Sequence, residues 1–423
     1  MTNENKLSVG ILTTFYEWNP SYSLTSVVEA QLVSLVKYGY NPILYVLTNF
    51  KDQDKVPKGV EVKCIVPQFK LVDYSGKAEP ESDLFDQAEA AYKAFKKHLD
   101  VDIVIQHDLI FQGWFLPYCM AIHKLASESN IKWLHWMHSN PSFPLLGLKE
   151  PLLLRYRLPA NSKLVYLNNS FLQMTAESYS AWPKDVRIVY NPVDTRLFWN
   201  LHPLVRSLID KYGLLDADFL QVYPVSSTRM VDGKQIYTVI NIMSKLKAMG
   251  KKVRLIICNA HANADREKQT IQEALSYAGQ KGLSPAEVIF TSLEQAPLYE
   301  HGVPKEVVSQ LFTLGNLFIF PSTSENCSLI LLEAMLSKNL LVLNEDLPQM
   351  REFAKENALY FPFGSINTTR TYTDIENFLN DVAKVIVSEF NTNRALKASN
   401  DIKQHFNFDF IFQNSIEPLF YES

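Results

Sequence analysis

Short apolar runs alternate along this chain with longer stretches whose apolar residues recur every three or four positions. Leu7–Thr13 is a β-like run that leads into a polar, aromatic loop from Thr14 to Ser23. Val27, Val28, Leu32, Leu35 and Val36 then follow helical spacing, with Thr25 or Ser26 as the expected N-cap and Gly39 as the expected stop. A second β-like run spans Pro42–Leu47. Strand, helix and strand at this spacing predict a βαβ unit and a parallel sheet, because parallel neighbours need a crossover connection. The same alternation predicts strands at Val60–Val66, Ile103–Gln106, Lys132–Trp136, Lys163–Leu167 and Val186–Tyr190, with helices at Asp83–Leu99 and Leu116–Ser127. A second series begins near residue 219: Phe219–Val225, Val253–Cys258, Glu287–Thr291, Leu317–Pro321, Leu340–Asn344 and Ala358–Phe361. Two doubly wound, Rossmann-like α/β domains follow, 1–195 and 196–405, joined near Asn191–His202. Ligands of such sheets bind beyond the carboxyl ends of the strands, so a cleft between two facing domains is the expected site.

Composition narrows the class. With 423 residues, 47% of them hydrophobic, the chain can bury two cores, and disorder is excluded. Lys and Arg total 41 against 45 Asp and Glu, a net charge of -4, which excludes a strongly basic nucleic-acid coat. The start, Met1 to Lys6, has no basic stretch leading into an apolar one, and no apolar run reaches the roughly 20 residues of a membrane span. Cys64, Cys119, Cys258 and Cys327 lie far apart, as suits reduced thiols, so a soluble cytoplasmic protein without a transmembrane segment is expected.

Candidate chemistry sits after two strands of the second series. Leu317–Pro321 runs into Ser322-Thr323-Ser324-Glu325-Asn326-Cys327-Ser328, then Leu329 to Met335 with Glu333 inside an apolar helix. A carboxylate there is costly to bury without a partner, and polyhydroxylated ligands are such partners. Read alone, these are as readily a capping Glu and a solvent-facing Glu. After Phe219–Val225 comes Ser226-Ser227-Thr228-Arg229-Met230-Val231-Asp232-Gly233-Lys234. Two cations five apart on a strand-to-helix loop can converge on a phosphate or diphosphate, Arg with its planar fork and Lys as a point charge.

Arg229-x4-Lys234, the stretch Pro321-Ser322-x2-Glu325-x7-Glu333-Ala334-Met335, the linker Asn191-Pro192-Val193-Asp194 and the segment from Gly302-Val303-Pro304 to Phe320 together resemble the retaining glycosyltransferases of family 4, with the GT-B fold. The resemblance covers roughly residues 185–365 and is looser before them, where a strand, loop and helix at the start and His138 match. It implies that Arg229 and Lys234 hold the donor diphosphate and stabilise the leaving nucleotide. Glu325 would contact hydroxyls of the transferred sugar, Glu333 the ribose hydroxyls, and His138 the donor sugar near the reacting centre. Backbone N–H groups of Asn326, Cys327, Ser328 and Leu329 would face phosphate or sugar at a helix N-terminus, and Ser23 would serve the donor from the first loop. The family needs no metal and no cofactor beyond the nucleotide-sugar, has no evident enzymic nucleophile, and leaves the donor phosphate as base. The resemblance makes 1–195 the acceptor domain, to which the C-terminal helix 406–423 returns, and 196–405 the nucleotide-sugar donor domain. Asp100-x-Asp102 and Asp216-x-Asp218 read as chance pairs in a chain this acidic.

The chain also departs from that pattern. The first loop, Asn19 to Thr25, has no glycine, and Lys234 is followed by Gln235 where the family has Gly. These departures bear on donor identity, a UDP-sugar being the first expectation. The acceptor is open: a glycan, small molecule, lipid head group or modified DNA base. The stretch Lys132–Lys163 interleaves Trp133, His135, Trp136, Phe143, Arg155, Tyr156 and Arg157 with the single acid Glu150, as a base-stacking surface can. Glycosylation of a hydroxylated DNA base is therefore one alternative, although residues 1–200 hold 20 basic and 20 acidic side chains. A binding protein that keeps the fold without transfer is the other. A dinucleotide dehydrogenase would show Gly-x-Gly-x-x-Gly after the first strand, and this chain does not.

Overall fold

The computed structural model describes residues 6–70, 72–77, 79–227, 229–260, 264–294, 302–325 and 328–422. The chain divides into two compact units, Met1–Asp194 with Phe406–Ser423, and Thr195–His405. Each is built on one parallel sheet wound on both faces.

In the first unit seven strands are ordered β3-β2-β1-β4-β5-β6-β7. They are β1 (Val9–Leu12), β2 (Ile43–Leu47), β3 (Glu61–Val66), β4 (Ile103–His107), β5 (Lys132–Met137), β6 (Ser162–Tyr166) and β7 (Val186–Ile188), one on each predicted run. Successive strand residues point to opposite faces, and the two cores record this. Val9, Ile11, Ile103, Ile105 and Leu134 pack in one cluster, while Leu12, Val104 and Trp133 pack in the other. Val28, Leu32 and Leu35 of the helix Ser23–Lys37 cover the first face, joined by Ile411, Phe412 and Phe420 from the C-terminal segment. Tyr38 stacks on Phe412 at 4.8 Å and Lys37 pairs with Asp409 at 2.7 Å, so that segment is held by rings and charge together. The second face is covered by the helices Leu84–His98 and Leu116–Glu128.

Six strands form the second unit: β8 (Phe219–Ser226), β9 (Val253–Ala260), β10 (Val288–Phe290), β11 (Leu317–Phe320), β12 (Leu340–Asn344) and β13 (Leu359–Phe361), ordered β10-β9-β8-β11-β12-β13. Their near-continuous apolar sequences follow from burial on both faces. The expected pair of doubly wound α/β domains is present.

One local expectation is corrected. The first helix starts at Ser23, with Tyr22 rather than Thr25 or Ser26 as its N-cap. Thr25 is buried in the first turn, its backbone N–H donating to Tyr22 O at 2.9 Å, so its hydroxyl does not serve as a cap. The second aspartate of each D-x-D pair has a structural partner. Asp102 Oδ2 accepts from the Ser8 amide at 2.7 Å, and Asp218 Oδ2 from the Lys252 amide at 2.7 Å. Both tie the entrance of a strand to its neighbour. Among the described residues no helix is long and apolar enough to cross a membrane.

Candidate functional site

Strand order fixes where each unit can hold a ligand. In the second unit the chain leaves β8 toward β9 on one side, while β11 starts the opposite side. The carboxyl ends of β8 and β11 are therefore a topological switch point, where loops part and leave a crevice. Arg229, Lys234 and Glu325 are all on the loops that follow those two strands.

The loop after β8 is wound tightly. Arg229 N–H donates to Ser226 O (3.0 Å), Lys234 N–H to Arg229 O (3.1 Å) and Ile236 N–H to Met230 O (3.1 Å), with the Met230 side chain fully buried beneath. Tyr223 Oη donates to Lys234 O at 2.6 Å. Gln235 has φ +55 and ψ 47. That is the left-handed region, which glycine enters freely and other residues at a cost of about 1–2 kcal/mol. Its Nε2 donates to Asp232 O at 3.1 Å and holds the turn.

Lys234 Nζ forms an ion pair with Glu325 Oε1, and the two side chains are only 10% and 9% exposed. The ammonium also lies 4.7 Å from the centre of the Phe320 ring. Burial pushes the Lys234 pKa down, with the nearby Arg229 charge adding and Glu325 opposing. Ser322 Oγ stands 2.8 Å from Glu325 Oε1 and 3.0 Å from Gly233 O, and Thr323 N–H donates to Gly233 O at 3.1 Å. Asn344, at the end of β12, donates to Ser322 O (2.9 Å) and to Gly364 O (2.6 Å). The loops after β8, β11 and β13 are thus sewn together, the last two through Asn344, around one cation and one carboxylate. Arg229 is exposed. A buried pair of this kind has a consequence for its variants: removing either partner leaves an uncompensated charge, costing roughly 3–5 kcal/mol.

The helix Leu329–Leu336 begins at Ser328, which is buried, whereas Leu329 is exposed. Glu333, in its second turn, is partly buried and meets Lys305 Nζ at 3.5 Å. Asn326 and Cys327 lie outside the described residues.

The first unit has its own switch point, between β1 and β4. A cavity of about 380 Å³ opens there, lined by Thr13, Phe15 and Tyr22 from the loop after β1 and by His107 and Asp108 from the end of β4. Ser23 itself is exposed at the start of its helix, beside the lining residues Tyr22 and Leu24. His138 follows β5 and is drawn in by two bonds: its N–H donates to Asp108 Oδ1 at 2.8 Å, and its Nε2 lies 2.8 Å from His107 Nδ1. His107 Nε2 faces Gln31 Oε1 at 3.1 Å, which requires the proton on that nitrogen. His107 Nδ1 then accepts from His138 Nε2–H. Burial lowers the pKa of His107, with the neighbouring His138 adding, and burial also lowers that of His138 against the opposing Asp108 charge. Burial raises the pKa of Asp108, which stands at φ +58, a conformation Asp tolerates. Gln31, His107 and Asp108 were not singled out from sequence. His107 and Asp108 stand where a strand ends, which is the signal that finds them.

The aromatic–basic stretch divides. Trp133, His135 and Trp136 belong to β5 and are buried, as are Arg155 and Tyr156, so these rings are not a stacking surface. Phe143, Lys149 and Arg157 are exposed.

No family model matches this sequence, and no curated protein matches it. Solved structures do. A glycosyltransferase from Rickettsia africae ESF-5 is 15% identical with a TM-score of 0.35, over 98% of each chain. Sucrose-phosphate synthase from Thermosynechococcus elongatus is 16% identical with a TM-score of 0.36, again over 98% of each. HepE of Anabaena, in complex with UDP, is 16% identical with a TM-score of 0.34, over 98% of this chain and 99% of that one. Superpositions this loose carry no chemistry, and the function rests on the side chains of this chain.

Proposed function

We propose that this chain is a retaining, metal-independent glycosyltransferase of the GT-B type, transferring a sugar from a nucleoside-diphosphate sugar, in first place a UDP-sugar, to an acceptor hydroxyl. The observation that carries the reading is the buried Lys234–Glu325 pair at the β8/β11 switch point, with the Arg229 guanidinium exposed beside it. An arriving diphosphate takes both cations, and Glu325 is released to accept hydrogen bonds from the sugar hydroxyls. In the transfer step the acceptor oxygen forms a bond to the anomeric carbon as its bond to the diphosphate breaks. The acceptor proton leaves on the departing phosphate, whose charge Arg229 and Lys234 stabilise. Ser328 and Leu329 offer the amides of a helix N-terminus to the donor, and Glu333 the carboxylate for its ribose. For Ser23 and His138, on the first unit, the resemblance alone supports a donor-binding role. The free thiols of Cys64, Cys119 and Cys258 support a cytoplasmic setting.

A binding protein that keeps the fold without transfer is the second reading, favoured by the same ion pair, because a Glu325 held by Lys234 is not free to position a transferred sugar. Glycosylation of a DNA base is not favoured, because Trp133, His135 and Trp136 are in the core. Melting curves with UDP, GDP, ADP and dTDP, each with and without magnesium, test the proposal. One nucleotide should stabilise without metal, by roughly 2.7 kcal/mol at a hundred times its dissociation constant. Turnover of its sugar conjugate should follow. Stabilisation without turnover of any conjugate selects the second reading, and no stabilisation by any nucleotide contradicts both.

A further inference from the structure

A second cavity of the first unit, of about 510 Å³, adjoins the one described above. Gln112 lines both, its Nε2 standing 3.0 Å from Asp108 Oδ2 and 3.2 Å from Ser139 Oγ. Arg155 lines the second cavity and is 3% exposed. Its Nε donates to Phe111 O at 2.9 Å and its Nη1 to Tyr74 O at 3.4 Å, two of the five N–H donors a guanidinium carries. Among the described residues no carboxylate forms an ion pair with it; the Asp73 carboxyl feels its charge only from beyond that distance, and Asp73 Oδ1 accepts the Ser75 amide at 2.9 Å. Backbone carbonyls orient a guanidinium but do not neutralise it, and a buried charge without a counter-ion is costly. The rest of the lining suits a sugar. Trp114 and Phe143 are 45% and 50% exposed and offer ring faces, while Ser139 and Asn140 offer polar groups for hydroxyls.

We propose that this cavity is the acceptor subsite and that it takes a small acidic sugar, a hexose carrying a phosphate or a carboxylate, with the anion on the Arg155 guanidinium. The fork geometry of Arg matches either oxyanion in a bidentate manner. The sugar hydroxyls then extend past Gln112 toward His107 and Asp108. The acceptor role rests on the glycosyltransferase reading; the anion site does not.

Calorimetric titration of the full chain with glucose 6-phosphate, glucuronate and uncharged glucose tests the proposal, with UDP titrated separately. One of the two acidic sugars should bind at least roughly tenfold more tightly than glucose, and which one names the anion. Arg155→Gln should abolish that preference. Should that variant not fold, Asn140→Asp, an exposed change that places a repelling charge in the lining, should weaken the acidic sugar by roughly tenfold and leave UDP unchanged. Equal binding of glucose and both acids, binding of neither acid, or indifference to Asn140→Asp overturns the proposal. Arg155-dependent binding of duplex DNA without binding of either acid overturns it in favour of a nucleic-acid acceptor. UDP that fails to bind while an acidic sugar binds removes the donor reading and leaves the anion site standing.

Discussion

The two switch-point crevices share a topology and differ in charge. Beyond β8 and β11, Lys234 and Glu325 face each other as ions in a nearly closed setting, with Arg229 exposed nearby. Beyond β1 and β4, burial holds His107 and His138 toward their neutral forms and raises the Asp108 pKa, around an open cavity. One crevice holds a buried cation against a buried carboxylate; the other sets two histidines whose pKa values burial lowers, and a carboxyl whose pKa burial raises, beside free volume. A sheet that parts its loops at a switch point provides the place, and the residues after each strand decide what the place can hold.

The most severe way to break this contrast is to remove the buried cation. Lys234→Ala should lower turnover by roughly 10²–10³-fold, the effect of deleting a group that stabilises developing charge. Because its partner is left buried and unpaired, the variant should also lose roughly 3–5 kcal/mol of stability. Glu325→Ala should behave alike in turnover. A variant that keeps full activity removes the assignment of the donor clamp.

Acid should act on the first unit. The pKa of His123 is lowered to about 4 and that of His135 to about 3, in both by burial foremost. Below the unfolded value near 6.5, the unfolded chain binds protons these histidines refuse when folded, so stability present above that pH is lost as pH falls toward 4. For His123 alone the loss amounts to roughly 3 kcal/mol. Chemical unfolding at several pH values checks this: the wild type should show the decline, and His123→Gln a decline shallower by one proton.

Smaller effects sharpen the picture. Asp108→Asn should keep the fold, since Asn accepts the left-handed backbone and its carbonyl oxygen can take the His138 N–H, whereas Asp108→Ala should lose roughly 1–3 kcal/mol with both bonds gone. The smallest effect belongs to Gln235→Gly, which should stabilise by about 1 kcal/mol by relieving the positive φ. A destabilised glycine variant would mean that the Gln235 bond to Asp232 O outweighs the backbone strain. Thermal melting resolves all three.

The fold was legible because strands buried on both faces read as unbroken apolar runs. Leu317 to Phe320 and Ile103 to Ile105 can be little else between helical stretches. Arg229, Lys234 and Glu325 were legible for a related reason: each follows such a run, and the parallel order brings the ends of β8 and β11 together. Their pairing was not, since residues 91 apart give no sign of whether they stand as rim charges or as a buried ion pair. The histidine chain needed Gln31, on a helix 76 residues from His107, and no pattern within one element shows that partnership. Trp133, His135 and Trp136 misled in the opposite sense. Aromatics interleaved with cations resemble a stacking surface, but in a central strand covered on both faces Trp133 and Trp136 enter the two cores. The start of the first helix at Ser23 was hidden because its N-cap, Tyr22, uses no side-chain hydrogen bond.

The most direct measurement of the contrast between the crevices is calorimetric titration of UDP into three proteins: wild type, Lys234→Ala and Asp108→Asn. UDP should bind the wild type and Asp108→Asn with similar affinity and lose at least roughly tenfold with Lys234→Ala. Equal affinity for Lys234→Ala and the wild type, or a loss confined to Asp108→Asn, would place the nucleotide outside the β8/β11 crevice and contradict the account.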